Sequence, residues 1–237
     1  MQKKHPVILH QLVYLHKLKI IYMSFLTNYG WIWFCIAFSV MLATVFIMNL
    51  QSRKFYTQDI VLRKFSIIDL EFPVSAQELV NIIKGIYALP GGQSQRTLRS
   101  LRGQLYVDFL FMPAAYIGIF ILCMQVSSKM SYFGHYVFAV LAWLQAIPWI
   151  CDIIENIYLL NKIRPEPVVS SPSAHKAFER LEILKWGIPL VGAVCSVSAL
   201  FYFWLTGLYS PGSLLYILII VGEIIIFVIA KRQISGN

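Results

Sequence analysis

The chain has 237 residues, of which 58% are hydrophobic and only 13% charged, with a formal net charge of +9. A soluble domain of this size carries about 25% charged residues, so the composition excludes an ordinary soluble globule and points to the membrane class. The excess of basic residues fits flanks that orient membrane spans better than a nucleic-acid surface, and no nucleic-acid partner is expected.

Residues 1–22 interrupt their apolar residues with lysines and three histidines. They lack the clean apolar region and small-residue cleavage site of a signal peptide. Two readings stand: a basic amphipathic helix on the membrane surface, or an extension upstream of a start at Met23. Residues 23–237 read as a single membrane domain.

Five apolar runs then follow, at 31–50, 105–126, 136–160, 186–206 and 214–230. Each is long enough to cross a hydrocarbon core of about 30 Å at about 1.5 Å per residue. The predicted fold class is an all-α membrane protein, a bundle of about five transmembrane helices with short cytoplasmic amphipathic helices. Aromatic residues near the span ends, among them Trp31, Trp33, Tyr106, Tyr136, Trp186 and Trp204, suit interfacial belts. The four cysteines, Cys35, Cys123, Cys151 and Cys195, all lie in apolar runs and read as buried hydrophobes rather than disulfides or a zinc site.

Charge asymmetry sets an orientation. Segments 51–104 and 161–185 and the carboxyl tail hold 15 of the 20 Lys and Arg residues. The positive-inside rule places these segments in the cytoplasm, with the amino end out and the carboxyl end in. The expected location is a bacterial inner membrane, with the lipid bilayer as the first partner.

Segment 51–104 begins its organised part at residues 64–72, which alternate imperfectly and predict an extended strand. Pro73 ends that stretch. Ser75-Ala-Gln-Glu78 is a capping-box pattern, opening an amphipathic helix through Leu79, Ile82, Ile83 and Ile86. Pro90-Gly91-Gly92 breaks it. Arg96, Arg99 and Arg102 follow at a spacing of three, one face of a helix suited to anionic headgroups or to a phosphate or carboxylate on a ligand. Segment 161–185 starts as a Pro/Ser linker and becomes a charged helix capped by Ser171, with Pro172 in the first turn.

Within the spans only four acids occur: Asp108, Asp152, Glu155 and Glu223. At about 1.5 Å per residue they fall about 5, 12, 8 and 10 Å from the cytoplasmic end of their spans. Intramembrane acids need partners or a function. Asp152 and Glu155 are i,i+3 and Asp152 and Asn156 are i,i+4, so all three can share one helix face. Two such carboxylates are expected to share a proton, with Asn156 orienting the pair. Asp108 and Tyr116 from span two, and Glu223 from span five, complete the candidate site. Pro148 removes a backbone hydrogen bond and is expected to bend span three.

Histidine pairs at metal spacing, a Gly-x-Ser-x-Gly elbow and a phosphate-cradling glycine loop are all missing. No metal and no cofactor are therefore expected. The acids support binding or movement of a lipid-like or cationic small molecule, or of protons. Two alternatives remain: a lipid-modifying enzyme using the same carboxylates as general acid and base, and an accessory subunit whose acids hold helices together.

Asp108-Phe-Leu-Phe111 with Tyr116, followed in the next span by Asp152-x-x-Glu155-Asn156, resembles a pattern in small bacterial polytopic membrane proteins of uncharacterised activity. In that group an extended segment and a short helix also precede the second span. The resemblance covers most of the chain after Met23, implies the same multi-span architecture, favours the acids as the site, and transfers no activity.

Overall fold

The computed structural model describes residues 5–58, 62–209 and 214–235, with side chains for 29–58, 62–209 and 215–233. It is mostly helical. The elements in chain order are α1 His5–Ser52, β1 Tyr56–Gln58, β2 Leu62–Lys64, α2 Ile68–Glu71, α3 Ala76–Tyr87, α4 Gln93–Ser127, α5 Tyr132–Leu144, α6 Ala146–Lys162, α7 Pro172–Leu205 and α8 Leu214–Ser235.

Among the described residues, four helical stretches are long and apolar enough to cross a membrane: Tyr29–Ser52, Gln93–Ser127, Tyr132–Lys162 and Pro172–Leu205. These cover the first four predicted spans, the fourth as far as Leu205. Their outward faces carry large apolar side chains, including Ile117, Val140, Trp143, Leu190 and Val194. That surface is what hydrocarbon tolerates and water does not. The fifth predicted span lies in α8, which packs against α1 and stacks Tyr216 on Trp31 with ring centroids 6.3 Å apart. The segment before Tyr29 continues into span one as one helix from His5, with no break at residue 22.

Helix α4 is the hub of the bundle, packing against α1, α3, α5, α6 and α7. The third span is divided at Gln145 into α5 and α6, three residues before Pro148. Proline has no N–H to offer the Leu144 carbonyl, so the regular ladder fails there. Gln145 is buried in the gap. Gly192 on α7 makes room for it, since a Cβ at that position would lie 2.7 Å from the Gln145 Nε2.

Between α1 and α4 the chain builds a small cap. β1 and β2 pair antiparallel, with Tyr56 opposite Lys64. The predicted strand at 64–72 is thus mostly something else: only Lys64 belongs to β2, and Ile68–Glu71 form a single helical turn. Asp69 closes that turn by accepting from the Ser66 N–H at 2.7 Å, a local bond that competes with strand pairing.

The capping box at α3 forms as expected. Ser75 accepts from the Glu78 N–H at 3.1 Å, and Glu78 reaches back to the Val74 N–H at 2.7 Å, one residue earlier than the usual partner. The positive φ of 53° at Gly91 turns the chain from α3 into α4.

The apolar face of α3 buries Leu79, Ile82, Ile83 and Ile86 against Phe55, Phe65, Leu70, Leu101, Leu105, Leu159 and Phe178. One core therefore joins the cap to the ends of α4, α6 and α7. Thr57 donates to the Ile82 carbonyl at 2.8 Å. Arg102 donates to the Ile163 carbonyl at 3.0 Å, just past the last turn of α6. Arg96 and Arg99 are exposed on the same stretch of α4.

Candidate functional site: a lysine-centred acid cluster

Four elements converge beneath the cap. α4 supplies Asp108 and Tyr116, α6 supplies Asp152, Glu155 and Asn156, α7 supplies Glu182 and Lys185, and α2 supplies Glu71. Five of the chain's 11 acidic residues gather here.

Lys185 is the centre. It is 7% exposed, and its ammonium lies 3.1 Å from Asp152 Oδ1, 3.4 Å from Glu71 Oε2 and 3.5 Å from Glu182 Oε2. It also donates to Glu155 Oε2 and sits over the Trp186 ring, 5.5 Å from its centroid. Asp152 receives a second bond, from the Tyr116 hydroxyl at 2.5 Å, in the range of charge-assisted O–H···O⁻ contacts.

Asn156 plays a different part from the one its spacing suggests. Its Nδ2 donates to Asp108 Oδ2 at 2.7 Å, tying α6 to α4. Asp152 and Glu155 both meet the Lys185 ammonium. Glu223 makes its contact elsewhere: Ser39 on α1 donates to it at 2.5 Å, so the structure pairs α8 with α1 through this acid. The remaining predicted residues, Asp108, Tyr116, Asp152 and Glu155, are brought together as the sequence suggests.

Three members went unread in the sequence. Lys185 and Glu182 lie in the charged helix that the sequence places on the cytoplasmic flank of span four, but α7 runs unbroken from Pro172 to Leu205. Phe178, Glu182, Lys185, Gly192 and Ser196 are all buried. Their spacings of four, three, seven and four keep to one inward helix face, and that period is the available signal. Glu71 carried no such signal, because a single helical turn has no period to detect.

The charge balance is poor. One carboxylate oxygen each from Glu71, Glu155 and Glu182 lies within 4.8 Å of the others. At an effective dielectric of about 20, like charges at that separation repel by about 3 kcal/mol per pair. Each contact to the ammonium gives about 5 kcal/mol by the same relation. A single lysine thus leaves little to offset the desolvation of four buried ions, which is several kcal/mol apiece.

Glu182 shows the shortfall most directly. The residue is fully buried, and the ammonium it shares with three other carboxylates lies 3.5 Å from its Oε2, the longest of the four contacts. Glu71, outside the spans, shows it too: burial holds its carboxyl above the usual carboxylate range, and the negative charge of Asp152 adds to the shift, against the pull of Lys185 and of the Trp186 side chain.

Chemically, this arrangement can hold positive charge. Its oxygens accept, and its one fixed cation is outnumbered. No family model, curated protein or solved structure matches the chain.

Proposed function

We propose that this chain is a five-span membrane protein that binds a cationic small molecule, or protons in its place, at the Lys185 cluster on the cytoplasmic side of the bundle. The observation that supports the reading is the imbalance itself: Glu71, Asp152, Glu155 and Glu182 share one buried ammonium. A cluster built only to hold helices together is best neutral, since buried ion pairs add little net stability over apolar packing. Excess carboxylate in the cytoplasmic half of the bilayer is the composition of a site for ions, protons or amines.

A lipid-like ligand has separate support. An apolar cavity of about 820 Å³ opens between α1, α4, α7 and α8, lined by Phe34, Leu122, Val197, Leu200 and Ile220 among others. Its size is in the range of small-molecule pockets, and its lining suits an acyl chain.

The test is proton release. Purified protein in lipid nanodiscs, mixed with a lipophilic amine in weakly buffered solution, is expected to release protons as the amine binds. Asp152→Asn and Glu155→Gln should abolish both signals while the protein stays folded. Unchanged pH and no amine binding in the wild type would remove the proposal.

A further inference from the structure

We infer that α2 and the residues just after it form a wedge in the cap-side leaflet of the membrane, with Ile68, Phe72 and Val74 as the side chains that meet lipid. The inference rests on the membrane-spanning reading above and goes further. It gives the cap, which packs around its own core, a lipid surface outside the bundle.

The exposed side chains are wrong for water. Ile68 is 57% exposed, Phe72 48% and Val74 89%. Ile68 and Phe72 are i,i+4 and share one helical face, and Val74 follows just after Pro73. Leu70, on the other side of the same turn, is buried in the core of the cap. Exposed apolar residues concentrated on one short segment mark an interaction surface, where scattered ones do not.

The level of this segment decides what covers it. Glu71 lies 3.4 Å from the Lys185 ammonium, which is itself 3.1 Å from Asp152. Asp152 is about 12 Å in from the end of the third apolar run, at about 1.5 Å per residue. α2 therefore meets the bundle within the depth of that run and not above it. At this level the outward faces of α6 and α7 expose Ile154, Ile157 and Ile183, on two stretches long and apolar enough to cross a membrane. Trp186, half-exposed beside Lys185, suits the interfacial belt. Lipid that covers these side chains reaches the wedge as well.

The backbone is equally prepared. From Asp69 to Val74 each N–H has an acceptor within the protein: the Ser66, Ile67 and Ile68 carbonyls, and Glu78 for Val74. Pro73 has none to satisfy. A segment that leaves water needs this, because lipid supplies no acceptor. Arg63 and Lys64, on the strand leading into the wedge, are exposed and suit anionic headgroups.

The test is a tryptophan placed on the wedge. Val74 is 89% exposed, so Val74→Trp leaves the packing of the cap alone. The full chain is put in nanodiscs of lipid brominated on its acyl chains, and the added emission is read as the difference from wild type. That emission is expected to be quenched by bromolipid and screened from iodide in the water. Ala88→Trp, at the far end of α3, is the control. It lies beside the start of α4, about 18 Å along that helix from the second apolar run, and should respond to iodide alone.

Tryptophan itself favours interfaces, so Val74→Asp gives a second measurement. A charge carried into hydrocarbon is costly, and hydrogen exchange over 68–74 in nanodiscs should rise by about tenfold. Iodide quenching of Val74→Trp without bromolipid quenching overturns the inference and leaves the patch to a protein partner. Unchanged exchange in Val74→Asp overturns it too. The native tryptophans, with Trp143 65% exposed on α5, separate the two readings. If bromolipid quenches them and not the added one, the wedge alone is lost; if it quenches neither, the membrane-spanning reading is lost with it.

Discussion

Lys185 and Tyr116 treat Asp152 as a shared acceptor, from α7 and α4 respectively. Removing one donor from a buried carboxylate exposes the desolvation penalty that the pair had offset, about 1.5–3 kcal/mol for a hydrogen bond to a charged group. Tyr116→Phe is therefore expected to lower thermal stability in detergent by that amount. In the Asp152→Asn background the same change should matter much less, and a double-mutant cycle reads the difference. Equal losses in both backgrounds would show that the hydroxyl does not act through the Asp152 carboxylate.

The residue scale also shows where sequence reasoning stops. Asp108, Asp152 and Glu155 were legible because an acid inside an apolar run is an anomaly on any reading. Lys185 was hidden because a lysine beside a tryptophan at a span edge looks like an interfacial anchor. Asn156 has donors and acceptors enough to serve either neighbour, so only the facing helix decides its partner.

At the level of elements, local rules carried well. Ser75 and Ser171 cap the helices their sequences announce, Ser171 accepting from the Ala174 N–H at 3.3 Å. The β1–β2 hairpin and the single turn α2 were not legible, since both are three or four residues long and exist through contacts with α3. Gly85 is the tightest of these contacts. A Cβ there would lie 2.1 Å from the Thr57 Oγ1 and 2.7 Å from the Gln58 carbonyl oxygen. The hydroxyl can rotate away, but the backbone of β1 cannot. Gly85→Ala should thus lift the hairpin from α3, destabilising the cap by about 1–3 kcal/mol, the range for overpacked interiors. Hydrogen exchange confined to 55–88 is the measurement, and unchanged protection there would refute the close packing.

For the whole molecule, two architectures meet. The bundle presents apolar side chains outward, while the cap buries them around α3, as a water-soluble domain does. Fifteen of 20 basic residues belong to the segments on the cap side and to the carboxyl tail, so the positive-inside rule predicts that the cap faces the cytoplasm. A reporter fused after α8 should accordingly be active only in the cytoplasm if α8 forms the fifth span. Activity on the far side would make α8 a surface helix or invert the bundle.

Glu71 gives the cap a second meaning. Of the four carboxylates on the ammonium, it alone comes from a part of the chain that does not belong to a long apolar helix. The cap therefore completes the cluster, and Glu71 ties α2 to α7 through the ammonium. Anything that changes the charge beneath changes how tightly the lid of the bundle is held.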